Sequence, residues 1–463
     1  MPSPRFPAAL ALCAALTACQ APDMAPVDAT DPAPLIGGAT GVAASIEFRT
    51  AGEPDDAGAA AARLTLADAL RDALLHDPRL QQSLARWHRA HAAAAESRIL
   101  PNPLLSIGVG FAESLSDSKV TVGLTREIAG YLQRPHKAGA ADARARTAAE
   151  EAFVVALDVV AQTRETYLAA QSADARRPSI EKRMELLTRQ RDLHAQALKE
   201  GEGLKSDLTA LEAERAAIDV ELADLDADRT RARIDLARLV GRPSDPGAWS
   251  LDAWPALPSA VTSARPWIDG ALGRRPEVRA IGWELAALGE ERALVETWPW
   301  EGASAGLEAE YDEGLTLGPV AEIPIRLFDP SAPRTAGIDA ADAELRHRAV
   351  EVRRQVIRDV RQALADEAAA RRALDLLDRV LLPLLENRRA EVDAARRLGE
   401  AEIAILVLAD RELQDARSRR VELEQRVLDA RIRLERAAGG PGDAPLPPPP
   451  VPGAEPPAGG TPR

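Results

Sequence analysis

Two histidines stand at a spacing that suits a metal site. His88 and His91 are three positions apart in a segment of helical periodicity, so both imidazoles lie on one helix face and can share a transition metal. No cysteine or carboxylate stands at ligand spacing on that face, and two solvated polar side chains are the favoured interpretation. We expect no bound metal and no other cofactor.

Both cysteines, Cys13 and Cys19, fall near the start of the chain. The remainder therefore has no disulfide, no thiolate metal site and no cysteine nucleophile. Cys19 ends an apolar run and follows Leu16, Thr17 and Ala18, a pattern that resembles the bacterial lipobox, whose cysteine is lipidated. We predict lipidation of Cys19, with ordinary signal cleavage beside an incidental cysteine as the alternative.

The chain carries no signature of catalysis. It has no nucleophile elbow, no P-loop, no dinucleotide fingerprint and no HExxH motif. Its many carboxylate pairs fall in amphipathic helical segments of high charge density, where they are solvated or pair with Arg at i, i+4. We therefore predict that the protein is not an enzyme.

Composition is typical of long helices rather than of a globular enzyme. Aromatic residues make up 3% of the 463 residues, and Ala, Leu, Arg, Glu and Asp dominate. The net charge is −14, which argues against a nucleic-acid partner because phosphate binding needs a basic face. An acidic protein of this kind is compatible with a conduit that tolerates cations.

The N-terminus has the features of a secretory signal. Arg5 precedes an apolar run over residues 6–18 that is too short to span a bilayer as a stable helix. We assign residues 1–18 to the signal peptide, and residues 19–63, rich in Ala, Pro, Gly and Asp, to an extended, lipidated and flexible tether. No later apolar run reaches about 18 residues, which predicts no transmembrane helix.

A repeat organises the rest of the chain, since residues 66–240 are echoed by residues 264–438. Five Gly or Pro residues recur 198 positions later, and a shared register of such residues indicates a shared architecture because they end helices and strands. The matched pairs are Pro78 and Pro276, Pro101 and Pro299, Gly108 and Gly306, Gly139 and Gly337, and Gly201 and Gly399.

We therefore divide the chain into two repeats, at residues 64–240 and 266–438. Residues 241–265, with Trp249 and Trp254, form a non-helical connector, and the Pro-rich tail at residues 439–463 is expected to be disordered. In the first repeat, Pro78 breaks the opening helix into two pieces.

Each repeat contains a strand pair, at residues 103–126 and 302–328, where the apolar period becomes two. In the first pair the alternating apolar residues are Leu105, Ile107, Val109, Phe111, Val120, Val122 and Leu124. In the second, the third strand runs from Ala303 to Tyr311, and the fourth comprises Leu315 and Leu317, then Ile323, Ile325 and Leu327. The fourth strand is less regular because of Pro319 and Pro324.

Four such strands raise a problem of closure. Each is about ten residues, the length that crosses a membrane when tilted, but lipid tolerates no open sheet edge. Either the strands pack on a soluble core, or several copies of the chain close one barrel together. We favour the shared barrel, because nothing nearby is apolar enough to cover the sheet.

A coiled-coil hairpin follows each strand pair, at residues 137–240 and 335–438. The outgoing helices, near residues 139–198 and 337–398, reach about 90 Å at about 1.5 Å per residue. Pro178 and Pro383 are expected to kink or interrupt them. The first returning helix has a heptad seam of Leu204, Leu208, Leu211, Ile218, Leu222 and Leu225. Each reversal is an acidic tip that contains glycine.

With the repeat, several segments resemble the TolC-like outer-membrane factors of tripartite efflux systems, over about residues 64–438. They are LTLADAL at residues 64–70 with HDP at 76–78, ILPNP at 99–103, RRPEVRA at 274–280 and IPIRLFD at 323–329. The second and the last look most like the heavy-metal-efflux branch.

The resemblance implies a mainly α protein with a small membrane β-barrel contribution, two structural repeats, and four transmembrane strands per chain that close as a trimeric α/β-barrel tube. It implies a homotrimer in outer-membrane lipid, lipid-anchored and extending into the periplasm, where a periplasmic adaptor links it to an inner-membrane efflux pump. The chain would be a passive, gated conduit from periplasm to exterior for metal ions or small molecules.

By position, the resemblance places adaptor-docking residues at both tips. They are Gly201, Leu204, Ser206, Asp207 and Leu208 in the first, and Gly399, Ile403, Leu406 and Leu408 in the second. Family members often have an acidic ring just beyond the second tip, where this chain has Ile405 and Leu408. Glu400, Glu402 and Asp207 are candidates for entrance charge, with simple solvation as the alternative.

A second class of function is a periplasmic adaptor or a structural coiled-coil lipoprotein. Such a protein would account for the signal, the lipid anchor and the hairpins. It would not account for two equivalent copies that each contain a strand pair, and the channel interpretation is therefore favoured.

Overall fold

The structure is a computed structural model that describes residues 31–42, 46–50, 63–110, 119–201, 204–244, 249–297, 300–311, 314–325, 331–401 and 403–440. The signal peptide, Cys19, Phe111, Leu327 and Glu402 lie outside the described residues, as do residues 441–463 of the tail.

The chain is mainly helical with short strands, as the sequence predicts. Its first elements are α1 (Pro32–Thr40), β1 (Arg63–Leu64), α2 (Leu66–His76), α3 (Pro78–Glu96), β2 (Leu104–Gly110), β3 (Lys119–Glu127), α4 (Ala129–Lys199) and α5 (Lys205–Leu239). Then follow β4 (Ser250–Leu251), α6 (Arg265–Arg274), α7 (Pro276–Glu296), β5 (Ser304–Tyr311), β6 (Leu315–Glu322), α8 (Ala332–Leu376), a π-helical turn (Leu377–Leu381), α9 (Leu382–Arg397) and α10 (Ile403–Ala437).

The opening helix is broken at Pro78, as predicted. Asp77 ends α2 and caps α3, because its carboxylate accepts hydrogen bonds from the backbone N–H groups of Arg79 (2.8 Å) and Leu80 (3.4 Å). Pro78 then occupies the first turn of α3, where its missing N–H costs nothing. At the start of α2, the Thr65 hydroxyl caps the N–H of Asp68.

The prediction of an extended tether is wrong for residues 32–40, which form α1. The Asp31 carboxylate accepts a hydrogen bond from the Ala33 N–H at 2.9 Å and so caps this helix. Ile36 and Ile46 are buried in a cluster with Leu80 and other side chains of α2, α3 and α4. A few apolar residues are sufficient to hold α1 as a helix because it packs on a surface formed by α2, α3 and α4. The sequence of residues 32–40 alone does not show that this surface exists.

The long helix α4 has 71 residues and continues through Pro178, so no interruption occurs there. Ala173, which precedes the proline, and Ile180 and Leu187, which follow it, are buried in one cluster with heptad residues of α5, namely Leu211, Ile218 and Leu225. This coiled-coil seam holds the helix on both sides of the proline, where the lost hydrogen bond costs about 3 kcal/mol.

The second long helix is disturbed before Pro383, as expected. A π-helical turn spans Leu377–Leu381, and the N–H of Leu382 donates to the Leu377 carbonyl. Pro383 has no backbone N–H to donate within the helix, and the wider π-helical turn before it accommodates the missing hydrogen bond. The α-helix resumes directly after this turn as α9.

The four longer strands form one antiparallel sheet in the order β2-β3-β5-β6. The join between the two strand pairs is β3 with β5, where Val122 lies opposite Ala309 and Leu124 opposite Leu307. The predicted fourth strand was too long, since β6 ends at Glu322 and Ile323 and Ile325 lie beyond it. Pro324 has no N–H to offer a strand ladder.

Residues 249–264 contain no helix, as predicted for the connector, and their one regular element is the short strand β4. That strand pairs in parallel with β1, with Arg63 opposite Ser250 and Leu64 opposite Leu251. Trp249 is buried beside Tyr167, whose hydroxyl donates to the Leu64 carbonyl at 2.8 Å. The connector is therefore attached to the start of α2 and to the middle of α4.

Candidate functional site: a two-faced sheet and two hairpin tips

The sheet has one apolar face. Its register places the alternating apolar residues of all four strands on the same side, with Leu105 opposite Leu124, Ile107 opposite Val122, and Leu317 opposite Ala309. Ile107 and Leu317 are exposed, at 68% and 63%, as are Leu105 and Val122, whereas Leu124 and Ala309 are half-buried. No element of the described chain covers them, which is an unusually large apolar exposure for a soluble surface.

The opposite face is small, polar and acidic. Gly108 lies opposite Thr121 and Ser106 opposite Gly123, while Glu308 and Glu310 occupy the corresponding positions of β5. Lys119 forms an ion pair with Glu310. An apolar face and a polar face on the same strands match the lipid side and the lumen side of a transmembrane barrel.

Glycines allow close approach of the strands. A Cβ on Gly306 would lie 2.0 Å from the Leu124 carbonyl oxygen and 2.7 Å from the Thr125 Cα, both backbone atoms. At Gly108 and Gly123 a Cβ would instead meet the hydroxyls of Thr121 and Ser106, each at 2.5 Å. Of these three positions, only Gly306 must remain glycine because backbone atoms of the neighbouring strand leave no room for a side chain.

The sheet is open in the described residues. Strand β2 pairs only with β3, and β6 pairs only with β5, so one side of each outer strand has no partner. Unpaired backbone N–H and C=O groups are not tolerated in lipid. If the apolar face met lipid, the unpaired edges of β2 and β6 would therefore need strands from another chain.

Below the sheet, α4 and α7 are joined by an ion pair between Arg279 and Glu150. The distance from Arg279 Nη2 to Glu150 Oε1 is 2.6 Å, and both side chains are nearly buried. Burial raises the pKa of Glu150 to about 7, against the opposing charge of Arg279.

A second cluster surrounds Glu277. Burial alone would raise the pKa of this carboxyl, but hydrogen bonds from Arg275 and the charges of Arg436 and Arg275 outweigh burial and lower the pKa to about 2. Arg275 also binds Asp359 at 2.9 Å, so the cluster ties α7 to α8 and α10.

The hairpin tips are made by glycines with left-handed backbone. Gly201 has φ +85° and Gly399 has φ +77°, and each follows the end of an outgoing helix. After Gly399, the Glu400 N–H donates to the Ala395 carbonyl at 2.9 Å, which is a Schellman closure. Glycine therefore recurs at the tip in both halves of this sequence because the backbone there has a positive φ, which other residues rarely adopt.

Most predicted tip residues are accessible. Leu204 and Leu408 are exposed at 66% and 46%, Ser206 and Glu400 are exposed, and Asp207 and Leu208 are half-buried. Leu406 is only 3% exposed, so its side chain packs inside the hairpin rather than on its surface. The Ile403 side chain is outside the described atoms.

A groove between the two tips was not evident in the sequence. It has a cavity volume of about 190 Å³ and is lined by Asp207, Ala210, Leu211, Glu214, Val407, Leu408 and Arg411. Arg411 Nη1 lies 3.2 Å from Glu214 Oε2 and so links α10 to α5 across it. The sequence analysis considered the two tips separately, and only the heptad seam of the first returning helix indicated which side of a helix faces a neighbour.

Arg183 joins three helices above this groove. Its guanidinium on α4 lies 2.7 Å from Glu221 of α5 and 2.8 Å from Asp415 of α10. The side chain is 9% exposed, so the two carboxylates offset the cost of burying its charge. The two hairpins are therefore held side by side through α4.

The histidine pair has aromatic surroundings. The His88 ring lies 4.3 Å from the Phe48 ring, and the His91 ring lies 5.1 Å from the Trp87 ring, measured between centroids. Among the described residues, no group of three His, Cys, Asp or Glu side chains is arranged to hold a metal ion.

A larger cavity, of about 330 Å³, lies where the connector crosses α4 and α10. Its lining includes Gln171, Pro255, Leu428 and Ile432. Gln171 donates to the Asp252 carbonyl at 2.8 Å and so attaches the connector to α4.

None of the described helices combines the length and the apolar character needed to cross a membrane.

No protein-family model and no curated protein matches the chain. Its fold does match solved structures. The outer-membrane channel OprN is 19% identical with a TM-score of 0.68, and the match covers 81% of this chain and 90% of OprN.

Two further matches cover almost the whole of the known chain. CusC, described in structures of folding and transmembrane channel formation, is 15% identical with a TM-score of 0.67 over 85% of this chain and 98% of its own. VceC, an outer membrane protein of Vibrio cholerae, is 16% identical with a TM-score of 0.66 over 81% and 96%. At these identities the likeness concerns the fold.

Proposed function

We propose that this chain, which has the fold of the TolC-like outer-membrane channels, is the outer-membrane component of a tripartite efflux pump. In this role it is a passive, gated conduit that carries metal ions or small molecules from the periplasm to the exterior. The observation that carries the proposal is the two-faced sheet, apolar and exposed on one side and polar on the other.

Closure of that sheet supports a homotrimer. The outer edges of β2 and β6 have no partner in the described chain, and a shared barrel would pair β2 of one copy with β6 of the next. The tandem order of two helices, two strands and a long hairpin in each half supports two structural repeats. Three chains would then contribute six hairpins to one tube.

The tips support docking to a periplasmic adaptor, which in turn would bind an inner-membrane pump. Leu204 and Leu408 expose apolar surface beside the groove that Arg411 and Glu214 span. Of the candidate docking residues, Gly201, Ser206 and Gly399 are exposed, Asp207 and Leu208 are half-buried, and Ile403 is retained on sequence grounds. Leu406 is 3% exposed, so its side chain would support the tip from inside the hairpin. Glu400 remains a candidate for entrance charge, and Glu402 is retained with it on sequence grounds.

We further propose lipidation at Cys19 and location in the outer membrane, with the helical body in the periplasm. The described segment at residues 31–42 is packed on the helical body, so a lipid anchor would lie within a few tens of ångströms of it at about 3.3–3.6 Å per extended residue. Metal ions are included among the possible cargoes because the IPIRLFD segment at residues 323–329 resembles the heavy-metal-efflux branch.

The test is a conductance measurement on the full chain purified from the membrane fraction. We expect a heat-modifiable trimer that inserts into planar bilayers and gives stable single-channel currents. A protein that is released as a soluble monomer when its lipid is removed, and that gives no currents, would instead be an adaptor or a structural lipoprotein.

A further inference from the structure

The polar face of the sheet carries more negative than positive charge. The register places four carboxylates and one ammonium on this side of the described strands, namely Glu127, Glu308, Glu310, Glu322 and Lys119. Four negative charges and one positive charge leave a net charge of −3 per chain on this face. The other charged residue of the four strands, Arg126, lies opposite Ala305 and so belongs to the apolar face.

Glu308 is the carboxylate that stands in the middle of the sheet without a cation. It lies opposite Gly123 of β3 and Gly318 of β6, so neither neighbouring strand offers a side chain at its level. Within the described residues, the Glu308 carboxylate makes no hydrogen bond and no ion pair. Glu310, two positions along the same strand, is paired with Lys119, so the charge of Glu310 is balanced and that of Glu308 is not.

The two glycines leave the space around Glu308 open. At Gly318 no atom lies within 4 Å of the position that a Cβ would take, and at Gly123 the atoms within that distance belong to Ser106. The Glu308 side chain therefore leans on neither glycine. Because side chains stand roughly perpendicular to a sheet, its carboxylate is directed into the space that the polar face borders.

The sequence outside the described strands offers Glu308 no nearby cation. The loops that follow β2 and β5, at residues 111–118 and 312–313, lie outside the described residues and contain no Lys, Arg or His. Their charged residues are all acidic, namely Glu113, Asp117, Asp312 and Glu313. In the other direction Arg326 comes eight positions after Gly318 in the chain, with Glu322 between them.

We propose that Glu308 determines the ion selectivity of the conduit, which favours cationic over anionic solutes at the level of the sheet. This inference rests on the proposed function, because it needs the polar face to line a lumen shared by three chains. It places the selecting charge away from the second tip. There Ile405 and Leu408 are exposed at the positions where the resemblance would have an acidic ring.

The dimensions of such a lumen decide whether three carboxylates can act on a passing ion. Twelve strands that are about 4.8 Å apart and tilted by about 40° enclose a backbone radius of about 12 Å, which the side chains narrow further. The screening length is about 10 Å at about 0.1 M salt and about 3 Å at about 1 M. The potential of the three carboxylates therefore extends across much of the lumen at the lower salt concentration but not at the higher one.

The experiment measures the reversal potential of the full chain in planar bilayers under a KCl gradient centred near 0.1 M. We expect the wild type to pass K⁺ in preference to Cl⁻. Glu308→Gln keeps the shape of the side chain and removes three charges from a trimer, so it should lower the permeability ratio about twofold. Glu308→Lys should lower the ratio further, and both differences should shrink when the salt is raised to about 1 M.

The matched control is a double variant in which Lys119→Gln is combined with Glu310→Gln. It removes a carboxylate two positions from Glu308 on the same face, together with the cation that balances it. The net charge of the face is unchanged, so the permeability ratio should remain that of the wild type. The yield of heat-modifiable trimer shows whether each variant assembles.

Equal permeability ratios for the wild type, Glu308→Gln and Glu308→Lys near 0.1 M salt would overturn the role of Glu308. So would a wild type that does not prefer K⁺, or differences that remain undiminished at about 1 M salt, since these would not come from charge. If such results come with stable single-channel currents, the channel function stands and only the selectivity assignment is wrong. A wild-type chain that neither inserts nor conducts would overturn the proposed function itself.

Discussion

Arg279 of α7 reaches Glu150 of α4, with Nη2 2.6 Å from Oε1, and both side chains are nearly buried. The two helices belong to opposite halves of the chain, so this pair joins the halves below the sheet. Burial raises the pKa of Glu150 to about 7 although Arg279 is adjacent. The carboxyl therefore changes charge inside the fold near neutral pH.

This pair predicts a pH-dependent stability. The folded-state pKa of Glu150 is above its unfolded value, so its stabilising contribution is complete below about pH 4.5 and is lost as the pH rises through about 7. The loss amounts to roughly 3 kcal/mol at most. Thermal unfolding followed from pH 4.5 to 8 should show it in the wild type, and Glu150→Gln should remove it.

Glu277 provides a control of the opposite sign. Its folded-state pKa of about 2 is below the unfolded value, so its stabilising contribution is present above about pH 4.5 and is lost as the pH falls toward 2. Glu277→Gln should therefore destabilise the protein above about pH 4.5, where the charged carboxylate is paired with Arg275 and Arg436, and its difference from the wild type should shrink as the pH falls toward 2. Parallel unfolding curves for the wild type and Glu150→Gln between pH 4.5 and 8 would contradict the assignment at Glu150.

Adjacent residues of β3 test the two faces of the sheet. Val122→Arg places a charge on the apolar face and should cost about 2–4 kcal/mol if that face meets lipid near mid-bilayer. Thr121→Arg places the same charge on the polar face, opposite Glu310, and should be nearly neutral. The measurement is the yield of heat-modifiable trimer in the membrane fraction, and equal yields would count against a lipid-facing sheet.

Two glycines of the sheet test the closeness of the strands. Gly306→Ala drives a Cβ toward backbone atoms of β3, the nearest at 2.0 Å, and should destabilise the protein by about 1–3 kcal/mol. Gly318→Ala in the edge strand β6 meets nothing within 4 Å and should change stability by less than about 0.5 kcal/mol. Urea unfolding in lipid distinguishes them; similar midpoints would refute the register of β3 and β5.

The glycines of the second hairpin test the tip. Gly399 has φ +77°, so Gly399→Ala should cost about 1 kcal/mol because alanine is strained in left-handed backbone. Gly337 lies within α8 with nothing within 4 Å of its Cβ position, and Gly337→Ala should stabilise the protein by about 0.5–1 kcal/mol. Thermal unfolding of both variants provides the comparison, and a shift of the same sign in both would contradict the assignment.

Leu406 tests the distinction between a docked and a buried tip residue. Since it is 3% exposed, Leu406→Ala should lower stability by about 2–5 kcal/mol. Leu408→Ala, at 46% exposure, should leave stability nearly unchanged and act, if at all, on adaptor binding. Thermal unfolding of the isolated chain separates the two, and an unaffected Leu406→Ala variant would return Leu406 to the surface.

The sequence by itself determined the features that depend on local backbone and on period. Pro78 ends one helix and begins the next, the heptad of α5 is buried at Leu211, Ile218 and Leu225, and strict alternation predicted strands at β2 and β3. Each of these follows from steric limits or from the geometry of one element, which a few neighbouring residues are sufficient to express.

The tertiary structure decided what depends on distant partners. The packing of α1 on the body, the continuity of α4 through Pro178, the burial of Leu406 and the groove at Arg411 all require surfaces that come from remote parts of the chain. So does the pairing of Arg279 with Glu150 across the two halves. Local sequence carries the capacity for these contacts, but only the folded chain determines which surfaces meet and hence which charges are buried.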